Sequence, residues 1–249
     1  EEASATLEGT ITMAGSTSVQ PLSEVLAGVF MEEHTGVRLE VSGGGSGAGV
    51  VAAQENTADF GAVSREVRED ETGIHTYRIA IDGIGIIVHP DNEVSDITVE
   101  DVQKIFAGEI TNWSEVGGAD ENIVVVSREE GSGTRGAFDD IVLGDAALVD
   151  TALIQNSSGS VRESVGSEAN AIGYVSTGSL NEDVKALSVG GVEPTPENII
   201  AGDYSVARPF NYVANEGESL SELAQAYLDF VLSEEGQAIV EEQGFVRVN

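Results

Sequence analysis

The chain has no cysteine among its 249 residues, which excludes disulfides and cysteine-ligated metals. Positive charge is nearly as scarce, since 11 lysines and arginines face 44 aspartates and glutamates, giving a formal net charge of -33 and a pI near 4.1. Nucleic acid and anionic membrane surfaces are therefore poor partners. No apolar run approaches the roughly 18 residues that span a bilayer. The opening "EEASATLEGT" has neither a basic nor an apolar region, so any secretion signal is expected to have been removed or never present. The three histidines, His34, His75 and His89, are far apart and lack the spacing of a metal motif. No cofactor is expected.

What is present describes a folded α/β protein: 41% hydrophobic residues, 30 glycines and only 5 prolines. The acids are dispersed, as in "VREDETG", "VEDVQ" and "LSEEGQAIVEEQG", and make an acidic surface everywhere rather than a tail. Such a surface reads as adaptation to very high salt, where a Debye length of about 3 Å removes self-repulsion. The fold is expected to weaken below roughly molar salt by the same screening. A melting curve unchanged on desalting would defeat that expectation.

Strand and helix patterns alternate along the chain. "GTITMAG" predicts a strand, "VQPLSEVLAGVFMEEHTG" a helix with Pro21 in its first turn, and "VRLEVSG" a second strand. "GGGSGAG" then turns into a short helix at "VVAAQEN", followed by the strand "ADFGAVS" and another helix start at "REVREDE". "YRIAIDGIGIIVHP" is too long for an ordinary strand and suits a segment passing between two lobes. The alternation restarts with the helix "TVEDVQKIFAG", the strand "NIVVVSR", the helix "GTRGAFDDIVLG", the strand "ALIQNS", the helix "SVRESVGSE" and the strand "AIGYVS". A β run, "SVARPFNYVANE", and one amphipathic helix over "SLSELAQAYLDFVLSEEGQAIVEEQG" close the chain. The expected organisation is α/β with two lobes, lobe I from residues 1–82 and 208–249 and lobe II from 83–207.

Three loops share one design, in which a strand ends, Gly, Ser and Thr follow, and a helix begins. They are "MAGSTSVQPL", "SGGGSGAGV" and "EEGSGTRG". A helix N-terminus leaves backbone N–H groups without intrahelical partners and carries partial positive charge. Glycine permits close approach and a hydroxyl adds a donor, so such an end can hold a small oxyanion without lysine. Ser and Thr are also ordinary N-caps and Gly an ordinary turn residue, so each loop alone has a structural explanation. Arg128 adds a planar charged fork four residues before Ser132; it reads as a ligand contact, with Glu130 holding the guanidinium. Neither a P-loop nor a dinucleotide fingerprint is present. "GSGTR" offers hydroxyls without an evident base, and no G-x-S-x-G elbow occurs, so an enzyme is not expected.

Taken together, "AGSTSVQPL", "SGGGSGAGV", "ADFGAVSRE", "AIDGIGIIVHP", "FAGEITNWSEVGG", "REEGSGTRGAF" and "AIGYVS" resemble, in order, the motifs of the phosphate-binding protein of the bacterial and archaeal phosphate ABC transporter. The resemblance covers nearly the whole chain. It implies a two-lobed class II periplasmic-binding-protein-like fold, each lobe a mainly parallel sheet flanked by helices. Phosphate would be buried in a cleft between lobes that close on it, with a hinge made by two crossing segments. Carried over motif by motif, Thr17 and Ser18 match the first phosphate loop and Ser46 the second. Arg128, Ser132, Gly133 and Thr134 match the third, and Ser64 falls where family members also contact the ligand. Some members carry there an aspartate that accepts the phosphate's own proton and excludes sulfate. With Ser64 in its place, Asp59, Asp82 and Glu130 are the candidate replacement carboxylates.

The implied function is an extracellular, cell-surface receptor, expected to be monomeric, that delivers inorganic phosphate to ABC permease subunits in the membrane. The precursor is expected to be lipid-anchored and the source a halophilic archaeon. Alternatives are a receptor for another tetrahedral oxyanion such as sulfate, a secreted phosphatase-like enzyme, and an adhesion or signalling protein that keeps the fold.

Overall fold

Along Glu8–Gly15 the side chains alternate between buried and more exposed, with Ile11 and Met13 turned inward, and this segment is strand β1 of a computed structural model that describes residues 7–249. The first six positions assigned to lobe I lie outside the described residues. The chain forms two units: unit 1 runs to Ile81 and resumes with Pro209–Gln243 and Arg247–Asn249, and unit 2 is Asp82–Arg208 with Gly244–Val246.

In unit 1, helix α1 (Gln20–Glu33) takes Pro21 in its first turn and buries Leu22, Leu26, Ala27 and Phe30 along one stripe. Strand β2 (Gly36–Ser42), helix α2 (Ser46–Gln54) and strand β3 (Phe60–Val63) follow. Both β2 and β3 pair with β1 in parallel. Strand β4 (Ile74–Val88) carries the chain from unit 1 into unit 2.

Unit 2 continues with β5 (Asp96–Ile97), α3 (Val99–Phe106), β6 (Val124–Arg128), α4 (Gly133–Phe138), β7 (Leu153–Gln155), α5 (Ser158–Ser167) and β8 (Ala171–Ser176). The short β9 (Lys185–Ala186), β10 (Ser188–Val189) and α6 (Pro196–Ala201) complete it. Strand β6 is parallel to β7 and β8, and β4 runs antiparallel to β8 with Gly85 opposite Val175. Val161 and Val165 of α5 pack with Ile87, Val126 and Val175 of β4, β6 and β8 as one apolar cluster. The "FAGEITNWSEVGG" motif is structural: Asn112 and Glu115 form a capping box, and buried Trp113 donates Nε1–H to the Asn170 carbonyl at 3.0 Å.

Strand β11 (Ala207–Asn215) leads back into unit 1, antiparallel to β3 with Asn211 opposite Val63. Helices α7 (Glu222–Val231) and α8 (Glu234–Glu242) then complete the unit 1 core. Phe30 meets Tyr227 at 5.3 Å and Phe230 at 5.4 Å between ring centroids, and Tyr212 OH lies 2.8 Å from Ser23 Oγ. Removing a buried ring such as Phe30 costs about 3–5 kcal/mol.

Four local expectations change. Residues 65–71 are a turn rather than a helix start, because Glu71 reaches back to accept from the Arg65 guanidinium and from the Arg68 backbone N–H. Helix α2 begins at Ser46, four residues earlier than Val50. The helix expected over 133–144 is α-helical only to Phe138 and widens into a π turn over Asp139–Leu143. The closing helix is two helices: Ser233 caps α8 by accepting from Gly236 N–H, and Gly236 packs so tightly that a Cβ would lie 2.2 Å from the Phe230 carbonyl oxygen.

Candidate functional site

Unit 1 builds a cluster of hydroxyls on a contact between backbones. Gly15 ends β1 at φ +139°, and a Cβ there would stand 2.4 Å from the Ala62 carbonyl oxygen. Gly61 faces Gly49 so closely that a Cβ would fall 2.1 Å from the Gly49 oxygen. These glycines let the ends of β1 and β3 and the first turn of α2 meet, with Ser16 N–H donating to Ala62 O at 2.9 Å and Gly45 N–H to Gly15 O at 2.9 Å.

The hydroxyls sit on that junction. Ser16 Oγ accepts from Ser18 N–H at 3.2 Å and Val19 N–H at 3.3 Å, and donates to Ser64 Oγ at 2.8 Å. Ser64 N–H donates to Ser46 Oγ at 3.0 Å, and the two hydroxyl oxygens are 3.3 Å apart. Ser16, Ser18, Ser46 and Ser64 are all buried, and Thr17 is partly exposed in the same turn. Helix α2 has no side-chain cap, so the backbone N–H groups of its first turn are suited to an anion, whereas in the first turn of α1 Gln20 N–H donates to Ser16 O, Ser23 N–H donates to Val19 O and Pro21 has no N–H. The structure thus joins Ser46 to Ser64 directly and links both to the Thr17–Ser18 turn through Ser16. Ser16 is not among the expected donors; its signal is the serine–turn spacing to the N–H groups two and three residues on.

Unit 2 presents its donors differently. Strand β6 ends at Arg128, whose side chain is 2% exposed. Its Nε and Nη2 donate to the two oxygens of Glu129, both at 2.9 Å, and Nη1 donates to Ser158 Oγ at 3.3 Å. Below it, Arg128 N–H donates to Tyr174 OH at 3.3 Å, and Ser127 Oγ lies 2.8 Å from the same oxygen. Burial, opposed by the Ser127 hydrogen bond, pushes the Tyr174 phenol up to about 12, so it stays neutral at physiological pH.

The expected partner of the guanidinium, Glu130, is corrected to Glu129. A turn closed by Ser132 N–H on Glu129 O places Glu130 at an exposed corner. Ser132 caps α4 by accepting from Arg135 N–H at 3.1 Å, and Gly133 and Thr134 are buried in its first turn.

Of the candidate carboxylates, Asp59 staples β1 to β3, accepting from Thr12 N–H at 2.8 Å and Thr12 Oγ1 at 3.0 Å. It precedes β3, whereas Ser64 follows that strand's other end. Asp82 is fully buried in unit 2 and paired with Arg208, which the sequence reading did not single out. Burial pushes the Asp82 carboxyl above its ordinary value, against the charge of Arg208 and the hydrogen bonds of Ser176, Arg208 and Thr177. Arg208 Nη1 also donates to Thr134 Oγ1 at 2.7 Å.

Comparison with known proteins decides the family. Residues 1–235 match the PBP superfamily domain. The phosphate-binding protein PstS of Bacillus subtilis is 36% identical over 247 residues, covering 96% of this chain and 81% of the relative. The chain belongs to the PstS family of phosphate-binding proteins. Among solved structures of relatives, a phosphate ABC transporter substrate-binding protein with bound phosphate from Clostridium perfringens has a TM-score of 0.94 and 42% identity, covering 97% of this chain and all of the other. An ABC-type phosphate transport receptor from Vibrio cholerae has a TM-score of 0.79 and 34% identity, covering 96% of this chain and all of the other. These names describe binding and transport, and none describes catalysis.

Proposed function

We propose that this chain is an extracellular receptor that captures inorganic phosphate and delivers it to the membrane subunits of an ABC permease. In this reading Thr17, Ser18, Ser46 and Ser64 of unit 1 and Arg128, Ser132, Gly133 and Thr134 of unit 2 supply its phosphate donors. The observation that carries it is buried Arg128, held as a fork by Glu129 at the start of a Gly-Ser-Gly-Thr turn, in a chain 42% identical to a phosphate-bound structure. Phosphate gives up hydration on binding, and a site must return that energy through fixed donors. Hydrogen bonds to a charged group contribute about 1.5–3 kcal/mol each, so a handful of preset donors and one guanidinium suffices.

Calorimetric titration of the chain with phosphate in molar salt tests this, with one phosphate bound per chain as the expected result. Absence of binding heat and of any phosphate-induced rise in melting temperature would overturn it. A second reading, another tetrahedral oxyanion such as sulfate, is favoured by one observation: Ser64, engaged by Ser16 and Ser46, is neutral. Competition between phosphate and sulfate on either side of phosphate's second ionisation separates the two.

No helix among the described residues is long and apolar enough to cross a membrane. Attachment of the precursor to the cell surface by a lipid is part of the proposal, and mass spectrometry of the protein extracted from native membranes would reveal the lipid.

A further inference from the structure

We propose that Arg208 is a positioning residue for phosphate, acting through Thr134; the proposal rests on the phosphate reading above and extends the donor set to a residue 74 positions away. The side chains of Arg208 and Asp82 are 1% and 0% exposed. Arg208 Nε and Nη2 lie 3.0 and 2.9 Å from Asp82 Oδ2. The other carboxylate oxygen, Oδ1, accepts from Ser176 Oγ at 2.9 Å and Thr177 Oγ1 at 3.1 Å. Two hydroxyls at the end of β8 thus anchor the carboxylate, and the carboxylate anchors the guanidinium. What remains of the fork, Nη1, is aimed at Thr134 Oγ1.

The consequence falls on the threonine. A hydroxyl is ordinarily a rotor that can donate or accept. Once Oγ1 accepts from a guanidinium, its own hydrogen must point elsewhere, and the adjacent cation makes it a stronger donor. Toward an anion, Thr134 is therefore set as a donor before the ligand arrives, which reduces the ordering cost of binding. Stability alone does not account for the arrangement. Burying an ion pair costs about as much desolvation as its attraction returns, and an apolar pair of similar volume stabilises a core as well or better.

The test is a mutant cycle read by phosphate titration in molar salt. Replacing the pair together, Asp82→Asn with Arg208→Met, leaves no unpaired buried charge and is expected to weaken phosphate binding about tenfold, or 1.4 kcal/mol. Thr134→Val alone is expected to do the same. Adding the pair replacement to Thr134→Val should weaken binding by less than about twofold more, because Arg208 acts through a hydroxyl already gone. Arg208→Lys is the second probe: one ammonium cannot hold Asp82 and reach Thr134 in the same geometry. It should lose affinity like the pair replacement while keeping its charge, and melting curves verify that each variant is folded.

Equal losses with and without Thr134→Val, or no loss on replacing the pair, overturn the proposal while the wild type still binds phosphate. A wild-type chain that does not bind phosphate overturns the phosphate reading itself, and this proposal with it, which is a distinguishable result.

Discussion

The hydroxyl cluster of unit 1 and the arginine pairs of unit 2 fix hydrogen-bond donors with opposite materials. In unit 1, Ser16, Ser46 and Ser64 touch through neutral hydroxyls on a junction that only glycine permits. In unit 2, the guanidiniums of Arg128 and Arg208 are each matched by a carboxylate, Glu129 and Asp82, and their remaining nitrogens reach Ser158 and Thr134. Neither arrangement accumulates net positive charge. In a chain of formal charge -33 an unmatched arginine would attract whichever acid lay nearest. Pairing each one in a fixed geometry turns charge into direction, which is what a neutral hydroxyl on a rigid turn already supplies.

The largest break in this comparison comes from removing the charged member. Arg128→Ala removes the guanidinium proposed to meet phosphate and leaves Glu129, whose side chain is 30% exposed, without its partner; truncating one member of a hydrogen-bonded charge pair at a binding site costs about 2–5 kcal/mol. Phosphate affinity is expected to fall about thirtyfold or more by calorimetry, with the melting curve showing the variant folded. Adding Glu129→Gln should recover part of that loss, since repulsion from the unpaired carboxylate is one component. An unchanged affinity in Arg128→Ala removes unit 2 from the site.

A smaller effect is expected from the neutral side. Ser64→Ala removes the hydroxyl that joins Ser16 to Ser46 and leaves the Ser16 hydrogen without that acceptor. A lost buried hydrogen bond of this kind costs about 1–2 kcal/mol, so phosphate affinity should fall roughly fivefold to thirtyfold. A loss as large as that of Arg128→Ala would mean that the hydroxyl cluster, not the arginine, carries the binding energy, and the comparison would reverse.

Much of this architecture was legible in the sequence because strand ends, small residues and helix starts leave a local pattern. Ser46, Ser132, Gly133 and Thr134 could be chosen because each follows a strand and opens a helix. The choice between Glu129 and Glu130 was not legible, since adjacent acids differ only in where one turn places them. Asp82 was legible as a lone acid inside the apolar run "IAIDGIGIIV", but its pairing with Arg208, 126 positions away, leaves no local trace. Arg208 reads as a strand residue, and its link to Thr134 exists only after residues 74 apart are folded together. The break between α7 and α8 was hidden because the apolar spacing continues across Leu232 and Ser233, while the stop depends on one serine cap and the packing of Gly236.

The smallest predicted effect asks whether Arg65, one of the arginines of unit 1, belongs to its donor cluster. Arg65 follows Ser64, but its guanidinium holds Glu71, with Nη2 at 2.6 Å from Oε1 and Nη1 at 2.7 Å from Oε2. Burial raises the Glu71 pKa, but the Arg65 hydrogen bonds, the Arg68 N–H and the charges of both arginines outweigh it and hold the carboxyl below the ordinary glutamate value of 4.5. A depressed pKa stabilises the fold above the unfolded value, and the contribution disappears as pH falls through the folded value. Glu71→Gln should therefore melt lower than wild type at neutral pH, by about 1–3 kcal/mol because the side chains are only 5% and 15% exposed and the Arg65 guanidinium loses its charged acceptor, and the gap should close below pH 4.5. Phosphate affinity should stay within about twofold, since an ion pair that only folds a turn contributes to stability, not to directed donors. A tenfold loss of affinity would place Arg65 in the cluster and end the division between a neutral cluster in unit 1 and a charged one in unit 2, whereas a gap that widens on acidification would overturn the lowered Glu71 pKa.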